Sequence, residues 1–232
     1  MLLPRGRRIG YDWSVTQRDQ PLPEPAEVVR EYGPYPDAPE VHGVSYDGQS
    51  IWFAAGEALH AISPSSGELQ RSLAVTARAG TAFDGRYLYQ LAGSVIQKID
   101  PETGCVLAKV PAPSAHLSGM AWAEGYLWIG EYSARTIHQV DPHTGAIVRS
   151  LQSDRFVTGV TWAQHELWHG TMQDSQSELR QIDPQDGRVL RRLALPAGAL
   201  VSGLESDGAD TLYCGGASSG KIRAVRRSRR PA

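Results

Sequence analysis

The fold is decided by the stretch Val140-Asp141-Pro142-His143-Thr144-Gly145, whose pattern occurs four times in the chain. An aliphatic residue is followed by Asp or Ser, by Pro and, three positions later, by Gly. The copies begin at Ile62, Ile99, Val140 and Ile182. In each copy the Asp or Ser side chain is expected to accept a backbone hydrogen bond, Pro sets φ, and Gly takes the left-handed position. A turn that recurs every 37 to 42 residues indicates one supersecondary unit stacked repeatedly.

Each unit is predicted to contain four antiparallel strands, A to D. A glycine opens every unit: Gly43, Gly80, Gly119, Gly159 and Gly203. An aromatic residue follows nine or ten positions later: Trp52, Tyr89, Trp128, Trp168 and Tyr213. Turn pairs such as Asp84-Gly85 separate strand A from strand B, and Asp-Gly between two strand-like runs is a strong hairpin signal. Four antiparallel strands in about 40 residues make a β-propeller blade.

The number of blades follows from the ends of the chain. The fifth unit ends with Lys221–Val225, a strand C that no turn or strand D follows. The N-terminal run Val28–Tyr32 resembles the strand D segments, so residues 27–33 are predicted to complete blade five and to remove the free seam. The predicted fold is therefore all-β: a five-bladed β-propeller of four-stranded antiparallel blades, closed by an N-terminal strand that joins the last blade.

The domain organisation follows from these units. A single propeller domain is expected over residues 27–225, with blades starting near residues 41, 78, 117, 157 and 201. An extended N-terminal arm (1–26) precedes it and a basic tail (226–232) follows it. Two of the connections between strands B and C are expected to be long and polar, at 130–135 and 170–177.

Composition limits the possible functions. A net charge of −2 gives no global field that would favour nucleic acid. The chain has no run of 18 apolar residues and no signal-peptide-like start, so neither a membrane nor secretion is indicated. Cys105 and Cys214 fit no metal or redox spacing, and no histidine cluster suggests a metal site. We therefore expect a cytoplasmic protein with no evident cofactor; the sequence leaves the oligomeric state open and favours a monomer.

Breaks in the repeat mark the candidate catalytic residues. Four units have a small residue before the opening glycine, and the first has His42. Two positions after that glycine, Glu205 stands where the other units have Ser, Ala or Thr. Glu131 follows a strand B glycine. Each has a structural alternative: His42 could bond a neighbouring backbone, Glu205 could pair with an arginine at the channel rim, and Glu131 could form a surface ion pair with Arg135.

The candidate ligand-binding residues are polar groups expected near one mouth of the central channel. They are Arg78, His116, Tyr132, Arg135, Arg155, His169 and Gln173. A mixture of imidazole, guanidinium and aromatic groups is a common composition for a small-molecule site. The expected partner is thus a small molecule or a short peptide.

The blades resemble those of plant-type and bacterial glutaminyl cyclotransferases, which are five-bladed propellers. The resemblance rests on repeats such as Leu127-Trp128 followed by 137–145, and it covers about residues 27–225. It extends to streptogramin-lyase-like and quinoprotein-like repeats. It implies an acidic residue at the end of a strand B; residues 53–56 and 90–93 have no carboxylate there, and Glu131 comes nearest.

Three functions remain open from the sequence. The favoured one is a small-molecule-binding propeller with a polar site at the channel mouth, because no recognisable catalytic constellation is present. The second is a cyclotransferase-like or lyase-like enzyme, in which Glu131 or Glu205 moves a proton and His42 or His169 acts as base. The third is a platform for protein interactions.

Overall fold

The computed structural model describes residues 20–227, and all regular elements in this part are strands. Two strands lie near the start: β1 (Glu24–Pro25) and β2 (Val28–Tyr32). Blade 1 consists of β3 (Val44–Tyr46), β4 (Ile51–Ala54), β5 (Leu59–Ile62) and β6 (Leu69–Leu73). Blade 2 consists of β7 (Thr81–Phe83), β8 (Leu88–Ala92), β9 (Val95–Ile99) and β10 (Val106–Pro111).

Blades 3 and 4 have the longest strands. Blade 3 contains β11 (Leu117–Ala123), β12 (Tyr126–Glu131), β13 (Thr136–Val140) and β14 (Ile147–Gln152). Blade 4 contains β15 (Phe156–Ala163), β16 (Glu166–Gln173), β17 (Gln176–Ile182) and β18 (Val189–Ala194). Blade 5 contains β19 (Gly203–Ser206), β20 (Thr211–Gly215), β21 (Ile222–Arg226) and β2. The predicted five-bladed propeller is confirmed.

The turns form as their residues predict. In blade 3 the backbone N–H of His143 donates to Asp141 Oδ1 at 2.8 Å, and the N–H of Gly145 donates to the Asp141 carbonyl at 2.9 Å. Gly145 has φ of 75°, a conformation that glycine adopts without steric cost. The same arrangement recurs at Asp100 in blade 2 and at Asp183 in blade 4, where it also joins strand C to strand D.

The ring closes through the N-terminal strand, as predicted. β2 pairs antiparallel with β21, with Tyr32 opposite Ile222. Glu31 accepts hydrogen bonds from Lys221 Nζ at 2.9 Å and from Arg223 Nε at 2.8 Å. The Tyr32 hydroxyl also donates to the Pro64 carbonyl of blade 1 at 2.9 Å. Residues from both ends of the chain thereby join blade 5 to blade 1.

The opening glycines are required where the innermost strands meet. A Cβ atom on Gly203 would lie 2.6 Å from the backbone nitrogen of Val44 in blade 1, and one on Gly80 would lie 2.5 Å from that of Met120 in blade 3. The other three opening glycines face a neighbouring backbone in the same way. Five glycines therefore form a ring around the axis, and within it the backbones are too close for any side chain.

Aromatic side chains of strand B fill the space between blades. Trp128 and Trp168 are fully buried. The ring centroid of Trp128 lies 5.3 Å from that of Trp162 on blade 4, within the range of favourable aromatic pairs. The recurrent aromatic position therefore packs one blade against the next.

Two terminal segments differ from the simple repeat. β1 pairs parallel with β18, so blade 4 carries a fifth strand from the segment expected to be an extended arm. At the other end, Arg227 is 8% exposed and donates to Glu166 Oε2 at 2.6 Å. Arg226 thus ends strand β21 and Arg227 packs against the propeller, whereas the rest of the expected basic tail and residues 1–19 of the arm lie outside the described residues. No helix in residues 20–227 is long and apolar enough to cross a membrane.

Candidate functional site

The propeller has two faces, and the glycine ring separates them at the axis. We call the face with the A–B and C–D turns the hairpin face, and the face with the B–C turns and D–A connections the loop face. His42 precedes the ring and lies toward the loop face, whereas Glu205 lies two residues beyond Gly203, toward the hairpin face. The structure therefore does not bring these two candidate residues together.

Glu205 lies where three blades meet. Its carboxylate accepts hydrogen bonds from Thr161 Oγ1 of blade 4 at 2.6 Å and from the Ser206 backbone N–H of blade 5 at 2.8 Å. Ser45 Oγ of blade 1 lies 3.4 Å away. Burial raises the pKa of Glu205 to about 7, and these hydrogen bonds, which favour the charged form, offset only part of that effect. Glu205 therefore has a carboxyl group that exchanges a proton near neutral pH.

His42 lines a depression of about 310 Å³ on the loop face, together with Pro39, Glu40, Ala55, Gly56 and Ser218. Its Nε2 lies 3.5 Å from Glu40 Oε2, and the Glu40 side chain is largely exposed. Because Glu40 is exposed to solvent, water weakens the interaction between its carboxylate and His42.

Glu131 ends β12 and is held by two neighbours. Ser114 Oγ donates to its carboxylate at 2.5 Å, and His138 Nε2 lies 3.1 Å from it. The hydrogen bonds from Ser114 and then His138 lower the pKa of Glu131, so this carboxylate is charged at neutral pH. On the other side, His138 Nδ1 lies 2.8 Å from Ser150 Oγ. This Ser–His–Glu chain resembles a hydrolytic triad.

Blade 1 explains the His138–Ser150 pair. The equivalent residues His60 and Ser72 make the same 2.8 Å contact between strands C and D. Ser150 stands on the exposed outer strand β14. The pair is therefore a repeated cross-strand contact, and Glu131 is an addition in blade 3.

Three of the predicted ligand-binding residues lie outside the charged network. Arg78 donates from Nε to Glu57 at 3.0 Å on an exposed surface. His116 has an exposed side chain in the connection from blade 2 to blade 3, and its carbonyl accepts from the Tyr132 backbone N–H at 3.3 Å. Gln173 ends β16 beside a turn of only two residues, Asp174 and Ser175, both with positive φ. The prediction of a long B–C loop in blade 4 is therefore wrong, because strands β16 and β17 continue their pairing to Gln173 and Gln176.

The other four, Tyr132, Arg135, Arg155 and His169, come together between blades 3 and 4. Beneath the surface is a network of five charged groups. Glu178 accepts from Arg180 Nε at 2.9 Å and from Arg192 Nη2 at 2.6 Å, and Arg155 Nη1 lies 3.3 Å from it. Arg180 Nη1 donates to Asp154 Oδ1 at 2.5 Å. Burial favours the neutral form of Glu178, but these guanidinium groups outweigh it and lower its pKa to about 2. We call these five residues the charged floor.

Above the floor is an aromatic roof. The rings of Tyr132 and Phe156 stack with centroids 4.7 Å apart, and the Arg135 guanidinium lies 4.8 Å from the Phe156 centroid. Arg135 Nη1 also donates to the Asp154 carbonyl at 3.1 Å. The consecutive residues 154–156 therefore connect floor and roof. We call the whole arrangement the blade 3–4 site.

Sequence reasoning missed most of the charged floor: Asp154, Glu178, Arg180 and Arg192. A signal was available, because Arg180 occupies the strand C position that holds His60, Gln97, His138 and Arg223 in the other blades. Comparing strand C position by position, as for strands A and B, would have marked blades 4 and 5 as the two with an arginine at this position. Asp154, the partner of Arg180, lies in a loop, and the repeat does not align loop residues.

Metal ligands do not cluster in the described part of the chain: residues 20–227 contain no group of three or more His, Cys, Asp or Glu side chains that could hold an ion.

Comparisons with known proteins agree with the geometry of the ring. No protein-family model matches the chain, and no curated protein matches its sequence. Among solved structures, the glutaminyl cyclase of Myxococcus xanthus superposes with a TM-score of 0.70 at 18% identity, over 88% of this chain and 98% of that protein. The chain shares its fold with this cyclase.

Two further structures show how widely the propeller occurs. The β-propeller domain of Cps50 (Swd1) from Myceliophteria thermophila matches with a TM-score of 0.58 at 10% identity, over 88% of this chain and all of that domain. Hydrazine synthase from Kuenenia stuttgartiensis matches with a TM-score of 0.50 at 16% identity, over 76% of this chain and 55% of that one. At these identities the likeness concerns the fold, and function has to be argued from the site.

Proposed function

We propose that this protein binds a small polar molecule with an aromatic or planar part at the blade 3–4 site. The observation that carries the proposal is the continuity of residues 154–156, which place a partly exposed aromatic stack directly beside buried charges. Phe156 and Tyr132 offer a flat apolar surface, and Arg135 and Arg155 offer donors. Apolar walls with a few fixed polar groups are typical of small-molecule sites.

The N-terminal segment accounts for part of this network. Gln20 Nε2 donates to Asp154 Oδ2 at 3.2 Å, and Arg192 Nη1 donates to the Pro21 carbonyl at 3.3 Å. These contacts involve the edge of the floor nearest the outer strand. The roof takes no part in these contacts of residues 20 and 21, so they do not explain why Tyr132 and Phe156 stack over the charged groups.

A thermal-shift screen with a metabolite panel tests the proposal. Compounds that bind should raise the melting temperature of the wild-type protein, and Tyr132→Ala should lose that increase. Tyr87→Ala is the matched control, because Tyr87 is a partly buried aromatic beside Lys98 and Arg86 on the hairpin face of blade 2. The proposal fails if no compound stabilises the protein, or if both variants respond as the wild type does.

A second candidate function is a glutaminyl-cyclase-like reaction that uses Glu205. The observation that favours it is a carboxyl group with a pKa near neutrality at the axis of a ring that has the fold of a cyclase. In such a reaction the α-amino nitrogen of an N-terminal glutamine attacks its side-chain amide carbon and ammonia leaves. Glu205 would take the proton from the amine and give one to the leaving group.

Mass spectrometry of peptides that begin with glutamine tests this candidate. Turnover would appear as loss of ammonia, and Glu205→Gln should abolish it while the protein stays folded. Peptides that remain intact after long incubation with wild-type protein would eliminate the candidate.

A further inference from the structure

Three of the buried side chains of blade 4 that have unpaired polar atoms belong to or border the charged floor. Thr171 Oγ1 and Arg180 Nη2 have no partner, and the ring nitrogens of His169 have none except an interaction with the Gly170 backbone, which favours the charged imidazole. All three side chains are 0% exposed. An unpaired buried donor destabilises the folded state, and each such group in a native protein calls for an explanation.

The three groups lie on one face of the sheet. His169 is directly opposite Arg180, and Thr171 is directly opposite Glu178. Directly opposite residues project to the same side, with Cβ atoms about 5 Å apart. His169 is also opposite Val160, which packs with Trp128 of blade 3. The unpaired atoms therefore belong to a compact patch of four residues that faces blade 3, within the charged floor.

Charge in the charged floor as a whole is not balanced among the residues that the structure describes. The floor has three guanidinium groups, of Arg155, Arg180 and Arg192, against the two carboxylates of Asp154 and Glu178. This leaves one positive charge in excess among groups that are largely buried, where an unpaired charge is costly. The hydrogen bonding is unbalanced in the same sense, because both Arg180 Nη2 and the Thr171 hydroxyl have a hydrogen to donate.

We infer that the floor of the blade 3–4 site binds the carboxylate of a small organic acid. Arg180 Nη2, Thr171 Oγ1 and the N–H of neutral His169 donate to its two oxygens. A single negative charge matches the single excess positive charge, whereas a phosphate dianion would add a second negative charge beside Glu178 and Asp154. The inference rests on the proposed function and adds the chemical class of the ligand: an acid whose remainder lies toward Tyr132 and Phe156.

Acetate and benzoate are suitable probes, with acetamide and benzamide as neutral counterparts of the same shape. Binding is followed by the ¹⁵N resonances of the histidine side chains, with the His169 signals identified from their absence in His169→Gln. The acids should shift the His169 signals saturably, and the amides should not. Thr171→Val should weaken acetate binding by about tenfold, since a lost hydrogen bond to a charged group is worth about 1.4 kcal/mol or more.

Thr158→Val is the matched control. Thr158 also has a buried, unpaired hydroxyl, but it lies on the opposite side of the blade, where a Cβ on Gly170 would meet Thr158 Oγ1 and Val201. This variant should bind acetate as the wild type does. Because the Thr171 hydroxyl has no partner within the protein, Thr171→Val should unfold at the same denaturant concentration as the wild type or a higher one.

The outcomes separate this inference from the proposed function. It is overturned if the amides shift the His169 signals as much as the acids do, if Thr171→Val leaves acetate affinity unchanged, or if no saturable response occurs, which would indicate buried water only. Acetate binding that survives Tyr132→Ala, with no response to any larger compound, would support the carboxylate site and refute the roof as a ligand surface. If a ligand without a carboxylate binds and Tyr132→Ala abolishes its binding, the result supports the roof as a ligand surface and refutes the carboxylate site.

Discussion

Replacing Glu205 with glutamine tests the reasoning about the axis of the propeller most directly. The substitution keeps the size of the side chain and its two polar atoms. The amide oxygen can still accept from Thr161 Oγ1 and from the Ser206 N–H, and the amide nitrogen can donate to Ser45 Oγ. Only the negative charge and its titration are removed, so a change in stability reports the cost of that charge.

The magnitude follows from the pKa of Glu205. A value of about 7 in the folded protein, against 4.5 for an unperturbed glutamate, corresponds to about 3 kcal/mol between the two protonation states. Because the folded state holds a proton that the unfolded chain gives up, the free energy of unfolding falls as pH rises from 4.5 through 7. Glu205→Gln should thus be more stable than wild type by about 2–3 kcal/mol at about pH 8 and nearly equal to it at about pH 4.5.

Urea denaturation followed by tryptophan fluorescence over this pH range measures the difference. Glu124→Gln is the control, since it removes the same charge from an exposed position in the A–B turn of blade 3. A constant difference between Glu205→Gln and wild type at all pH values would refute the argument, because Glu205 would then titrate as a solvated carboxyl group does.

Three further predictions concern the ring and blade 4. Gly203→Ala should destabilise the protein by about 3 kcal/mol or more, since its Cβ would lie 2.6 Å from the Val44 nitrogen; calorimetry that showed a melting temperature like that of the wild type would contradict the glycine ring. Tyr32→Phe should lower the free energy of unfolding by about 1 kcal/mol by removing the bond to Pro64, and urea denaturation checks it. Burial lowers the pKa of His169 to about 3, so its contribution to stability falls as pH decreases from about 6.5 toward 3. His169→Gln should show a weaker loss in acid denaturation, and an unchanged acid limb would count against a buried neutral imidazole.

Much of the fold could be predicted because each blade is encoded locally. The Asp-Pro turns, the Asp-Gly hairpins and the strand B aromatics each act within a few residues of their own position, as the hydrogen bonds of Asp141 show. The missing turn after Val225 and the run Val28–Tyr32 were sufficient to predict how the ring closes. The parallel strand β1 was not predictable, because two residues of strand carry no periodic pattern.

The site was predictable only in part. Repeat alignment singled out Glu205 as an unusual residue at its position, but the burial that raises its pKa arises only where three blades meet. Tyr132, Arg135, Arg155 and His169 were named from loops and one strand without any indication that they share a network. The expected convergence of His42, Glu205 and Glu131 at one mouth did not allow for the glycine ring, which places Glu205 on the other side of it.

The sequence by itself determined the repeat, the number of blades and the strand that closes the ring, because turns and strand periodicity are set by neighbouring residues. Only the tertiary structure decided which polar residues act together. Arg180, Glu178 and Asp154 come from a strand and a loop more than twenty residues apart, and their charges interact only once blades 3 and 4 bury them side by side. Burial then determines their protonation, and it leaves His169, Thr171 and Arg180 with hydrogen-bonding capacity that the protein does not use.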